Sequence, residues 1–163
     1  KKNPPLLYNL AELQNDCSKL FKISPDETLR VVQELYEKKM VTYPRTDARV
    51  LSSAVAKEIS KNISGLKGIN MVRPFAEEIL EKESYKQIAK TRYVNDKMIT
   101  DHYAIIPTGQ GLGAMRGLNP VSLKVYETIV RRFLAIFYEP AIYKKVSLTM
   151  GMETERFLLP LRC

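Results

Sequence analysis

Tryptophan is absent and histidine occurs once, at His102. Cysteine occurs twice, at Cys17 and Cys163, with no C-x-x-C pair and no Cys/His cluster. That scarcity argues against a zinc site, which needs several such ligands within reach of one another. Two lone thiols fit a reducing cytosol. The sequence also lacks any apolar run near the roughly 18 residues that span a bilayer. Its longest such stretch, R-F-L-A-I-F-Y at 132–138, is short and opens on an arginine. The opening K-K-N-P-P-L-L-Y has basic residues but no apolar h-region of a secretory signal. The closing R-F-L-L-P-L-R-C follows a strand-like run and reads as a cut through something larger.

What is present in excess is positive charge. The 163 residues hold 26 Lys and Arg against 18 Asp and Glu, a formal net charge of +8. The isoelectric point near 9.5 favours a polyanion partner, with nucleic acid first. The length is that of about one domain. An apolar fraction of 45% suffices for a core.

Residues 9–20 carry Leu10, Leu13, Cys17 and Leu20 at helical spacing, with Asn9 as cap and Glu12 three residues on. Cys17 on that apolar face reads as a small core residue. S-P-D-E at 24–27 forms a capping box with proline at the first helical position. It starts a helix to about Lys38 with Leu29, Val32, Leu35 and Tyr36 expected on its buried face. The short turn between these helices is helix-turn-helix spacing. Met40 to Tyr43 reads as a short extended segment. A helix from Asp47 or Ser52 to about Asn62 follows, then helices near 74–82 and 84–91. Residues 100–117 hold four of the chain's seven glycines and read as a flexible loop. Asn119 and Pro120 start a long helix to about Tyr138, and a strand is expected at 141–152. The fold class is mainly α with short β segments.

Residues 41–47 read V-T-Y-P-R-T-D. A phenol can act as a covalent nucleophile, but with a pKa near 10 only about 0.1% is ionised at pH 7. It needs a cation or base beside it. Arg45 stands two residues on, so an extended backbone would send both side chains from one face. Its guanidinium fork suits a phosphate. Tyr43 is one of nine tyrosines, and spacing alone does not separate it from an ordinary strand-end residue.

Y-P-R-T-D, preceded by L-Y-E-K-K-M-V-T, resembles the active-site segment of type IA DNA topoisomerases, closest to the topoisomerase III branch. The resemblance extends to P-P-L-L-Y-N-L-A-E-L-Q, S-P-D-E-T-L-R-V-V-Q-E-L-Y-E, D-H-Y-A-I-I-P-T and V-Y-E-T-I-V-R-R-F-L-A-I-F-Y, in the family's order. It covers most of residues 4–145. It implies that Tyr43 attacks single-stranded DNA to form a 5′-phosphotyrosine link and release a 3′-hydroxyl. It implies Arg45 and His102 as phosphate ligands and catalytic helpers, with Thr46, Asp47, Arg49 and Thr108 shaping or contacting the DNA site. Tyr103 departs from the family, which often has a small, polar or histidine residue there.

The family also uses Mg2+ held by a separate transferase domain, whose D-x-D pattern with a suitable glutamate is missing here. The resemblance therefore implies a tyrosine-bearing unit over 1–118, a catabolite-activator-like helix-turn-helix module. Residues 119–163 would start a neighbouring arch domain. It implies single-stranded DNA and the enzyme's remaining domains as partners, no membrane, and a cytoplasmic, nucleoid-associated place. The isolated chain is expected to bind single strands weakly and not to relax supercoils.

Two other classes compete. A non-enzymatic helix-turn-helix regulator fits the first two helices. However, Pro25, Asp26 and Glu27 open the second helix, where acids would repel the DNA backbone. A tyrosine recombinase or type IB strand-cutter also uses a phenol, but places its tyrosine late, after several basic residues.

Overall fold

A computed structural model describes residues 4–99 and 101–138. Helices dominate, and among the described residues the only β pairing is three isolated bridges. The expected strand at 141–152 lies outside the described residues.

The first helix, α1, spans Leu10–Phe21, and α2 spans Pro25–Glu37. Each starts where a side chain satisfies an orphan amide: Asn9 accepts from the Glu12 N–H and Ser24 from the Glu27 N–H. Lys22 ends α1 in the left-handed conformation and turns the chain into α2. The next helical stretch is broken. Ser52 caps α3, Ser53–Lys57, and Glu58 interrupts the ladder before α4, Ile59–Gly65. Then come α5, Arg73–Lys82, and α6, Pro120–Ala135. The expected helix near 84–91 is a 3-10 helix over Ser84–Lys90.

Helix α6 lies across α1 and α2. Its Val125, Tyr126, Ile129, Val130 and Phe133 are buried in one apolar cluster with Leu13, Cys17, Val32 and Leu35. The core is thus continuous through residue 118. Two side chains of the expected apolar stripes stand outside it. Leu20 is exposed, and so is Tyr36, which stands one residue round the helix from the fully buried Leu35.

Residues 104–108 thread through the middle. On one side the Ala104 N–H donates to the Val50 carbonyl, and the Ile105 N–H to the Tyr8 carbonyl. On the other, Val41 pairs antiparallel with Pro107. The glycine-rich stretch is therefore not a free loop at its start. Gly109, at φ +83°, lies against Gly65 at the end of α4, so close that a Cβ on Gly65 would fall 2.2 Å from the Gly109 carbonyl oxygen. Asn62 ties the same place by donating to the Pro107 carbonyl at 2.9 Å.

Candidate active site

The segment before Tyr43 is held by backbone bonds to the segment after His102. The Thr42 N–H donates to the Ile106 carbonyl at 3.0 Å, and the Thr108 N–H to the Met40 carbonyl at 2.9 Å. Thr42 adds a second strap, since its hydroxyl donates to the Ala104 carbonyl and accepts from the Ile106 N–H, both at 3.0 Å. This register brings Tyr43 and His102 together, with ring centroids 4.4 Å apart and planes tilted by 34°. Tyr36 meets Tyr43 from the end of α2, edge to face, at 5.3 Å.

The chain does not stay extended through Arg45. Pro44 and Arg45 form a bend, and the Thr46 N–H donates back to the Pro44 carbonyl at 2.9 Å. The three-residue turn, centred on Arg45, replaces the strand geometry that a Tyr43–Arg45 pair on one face requires. Arg45 itself is exposed and has no hydrogen bond or ion pair among the described residues. Its fork is free for an anion.

The other candidate residues divide by their partners. Thr46 is buried; its hydroxyl accepts from the Ala48 N–H and its carbonyl from the Leu10 N–H. Asp47 is exposed, and its carbonyl accepts from the Asn9 side-chain amide. Arg49 turns inward, donating to the Leu7 carbonyl at 3.0 Å and the Leu6 carbonyl at 3.3 Å, with Glu12 at 3.8 Å. Thr108 donates to the Lys39 carbonyl at 2.6 Å and accepts from the Gln110 N–H. Tyr43, His102 and Arg45 thus present open chemistry, while Thr46, Arg49 and Thr108 brace the backbone around them.

Beneath the site, Arg132 of α6 fixes the segment that carries Tyr8. It donates to the Leu6 carbonyl at 2.9 Å and to Asp16 at 3.0 Å, and lies 4.1 Å from the Tyr8 ring centre. Tyr8 donates to Asp16 at 2.6 Å. Burial holds the Tyr8 phenol protonated far above its ordinary range, so it stays a donor at any working pH.

A magnesium ion does not fit this arrangement. Hard cations take several oxygen ligands, and the groups brought together are a phenol and an imidazole. No group of three or more His, Cys, Asp or Glu able to hold a metal occurs among the described residues. No helix among the described residues is long and apolar enough to cross a membrane.

The family model for DNA topoisomerase matches residues 1–161. The chain belongs to the DNA topoisomerase family. It is similar to the DNA topoisomerase 3 of Bacillus licheniformis, with 40% identity over 92% of this chain and 20% of that protein. It is equally similar to the DNA topoisomerase 3 of Bacillus subtilis, at 40% over 92% of this chain and 20% of that one. The Bacillus cereus DNA topoisomerase 3 is 36% identical over 94% of this chain and 21% of its own length. The branch is therefore topoisomerase III-like, within type IA, and the chain spans about one fifth of these curated relatives.

Sequence reasoning missed two neighbours of Tyr43. Thr42 was legible only as a β-branched residue, and Tyr36 as a core position. Both lie in the stretch just before Tyr43, yet what makes them matter is contact with residues 102–106 or with the Tyr43 ring itself.

Proposed function

We propose that this chain carries the nucleophile of a type IA topoisomerase that cuts and rejoins single-stranded DNA. The Tyr43 oxygen attacks a backbone phosphorus. A phosphorus–oxygen bond to tyrosine forms as the bond to the 3′-oxygen breaks, leaving a 5′-phosphotyrosine and a free 3′-hydroxyl. The phenolic proton is lost on one side and a proton gained by the leaving oxygen on the other. Reversal rejoins the strand, and passage of DNA through the open break changes topology, by relaxation or decatenation. Arg45 takes the non-bridging oxygens of the scissile or adjacent phosphate, where charge must be neutralised. His102 donates to the same phosphate. Asp47 completes the DNA-facing surround, and Thr46, Thr108 and Arg49, which turns inward rather than onto the DNA, keep its shape.

Mg2+ belongs, in this proposal, to a transferase domain outside this chain. Helices α1 and α2 would be the helix-turn-helix of a catabolite-activator-like module over 1–118, and α6, although it shares their core, would lead into an arch domain over 119–163. The enzyme would work at DNA in the cytoplasm. The observation that carries the proposal is the contact of the Tyr43 and His102 rings, with Tyr43 two residues before an exposed Arg45 that has no partner among the described residues.

End-labelled single-stranded DNA and magnesium, mixed with this chain with and without the transferase domain, test it by covalent trapping. The expected adduct is on Tyr43 through a 5′-phosphate, only when the second domain is present. Tyr43→Phe in the full enzyme should abolish the adduct and change DNA affinity by less than about tenfold, or roughly 1.4 kcal/mol. A 3′-linked adduct would point to a recombinase-type cutter. No adduct, with tight duplex binding, would point to a helix-turn-helix regulator.

A further inference from the structure

Tyr36 is an exposed aromatic that the core does not need. It keeps 38% of its surface open at the end of α2, one residue after the fully buried Leu35. Its ring meets the Tyr43 ring at 5.3 Å and 80°, the edge-to-face geometry in which a ring's positive edge meets a negative face. Its hydroxyl makes no hydrogen bond among the described residues, so the contact is made by the ring.

A phenol nucleophile must hold its oxygen in line with the bond it breaks, and a swing of about 1 Å at the reacting atom is enough to slow the step strongly. The Tyr43 backbone is fixed by the Thr42 straps, but those bonds leave the side-chain torsions free. Two rings restrict them, His102 and Tyr36. His102 is the one with phosphate chemistry to do. Tyr36 stands in the last turn of a helix anchored in the core by Thr28, Val31, Val32 and Leu35, and its carbonyl is occupied by the Lys39 N–H at 2.8 Å. We propose that Tyr36 is a positioning residue: its ring walls the Tyr43 side chain into the orientation from which it attacks. This rests on the transesterification reading above.

The test uses the full enzyme and single-turnover cleavage of a single-stranded oligonucleotide at saturating DNA. Tyr36→Ala should slow cleavage about three- to tenfold, the size of one aromatic pair, with DNA affinity and melting temperature unchanged. Tyr36→Phe should restore the wild-type rate, and Tyr36→Leu, which fills the space without a ring edge, should not. Wild-type cleavage by Tyr36→Ala would overturn the proposal. So would a defect in Tyr36→Phe as large as in Tyr36→Ala, which would put the role in the hydroxyl. Loss of DNA affinity with an unchanged rate would overturn it too, making Tyr36 a base-stacking contact. Tyr43→Phe runs alongside: if it still cleaves, the transesterification reading fails instead, independently of Tyr36.

Discussion

Thr42 has no reactive group, yet its hydroxyl joins the two halves of the site. It gives one hydrogen bond and takes one from the segment after His102, and both partner residues, Ala104 and Ile106, are wholly buried. Water cannot easily replace the hydroxyl there. Thr42→Val keeps the shape and removes both bonds, leaving a buried amide and carbonyl without this partner, at about 1–3 kcal/mol. The melting temperature should fall accordingly, and Thr42→Ser should recover most of it. Cleavage by the full enzyme should fall further than the stability change alone predicts, because the Tyr43–His102 spacing depends on this register. A Thr42→Val protein that melts with the wild type would mean that the backbone bonds alone set the register.

At the scale of elements, the helix starts were legible because their causes are local. Asn9, Ser24, Ser52 and Asn119 each accept an amide three residues on, a pattern written in consecutive residues. Tyr43 and His102 were each singled out from the sequence, but their meeting was not legible, because it depends on hydrogen bonds between distant segments. Tyr36 was misread for a related reason: helical periodicity gives a face but not its width, and Tyr36 lies at the open edge of the face that buries Leu35. The glycines were misread as looseness. Gly109, in the stretch read as a flexible loop, instead lets its backbone touch that of Gly65 and also needs its positive φ. Gly65→Ala would drive a methyl into the Gly109 carbonyl. Overpacking of that kind costs about 1–3 kcal/mol, more than the roughly 1 kcal/mol of helix propensity it gains. Gly113, whose Cβ would meet nothing within 4 Å, is the control. Urea midpoints should drop for Gly65→Ala and hold or rise slightly for Gly113→Ala.

Across the whole molecule, charge is arranged differently outside and inside. On the surface, pairs such as Lys61–Glu58, Lys82–Glu78 and Lys86–Glu83 sit one helical turn or less apart and are well exposed, so each adds little to stability. The excess of +8 is what a polyanion meets. Inside, Glu127 of α6 is 2% exposed, and its Oε1 has no hydrogen-bond partner among the described residues. Burial pushes its carboxyl up to about 7, against the opposing pull of the Arg131 guanidinium one turn on. An unfolded glutamate titrates near 4.3. Between about pH 4.3 and pH 7 the folded chain keeps a proton that the unfolded chain has released, so folding stability falls as pH rises through that window. Above it the loss is complete, on the order of 1–3 kcal/mol. Glu78 and Asp96, whose carboxyls are held low by hydrogen bonds from Lys82 and Ser53, act in the opposite sense and only at more acid pH. Urea unfolding at pH 5 and pH 8 should therefore show the wild type losing stability at the higher pH, and Glu127→Gln losing much less. Equal losses in the two proteins would mean that Glu127 is already ionised inside the fold, held by Arg131, at both values.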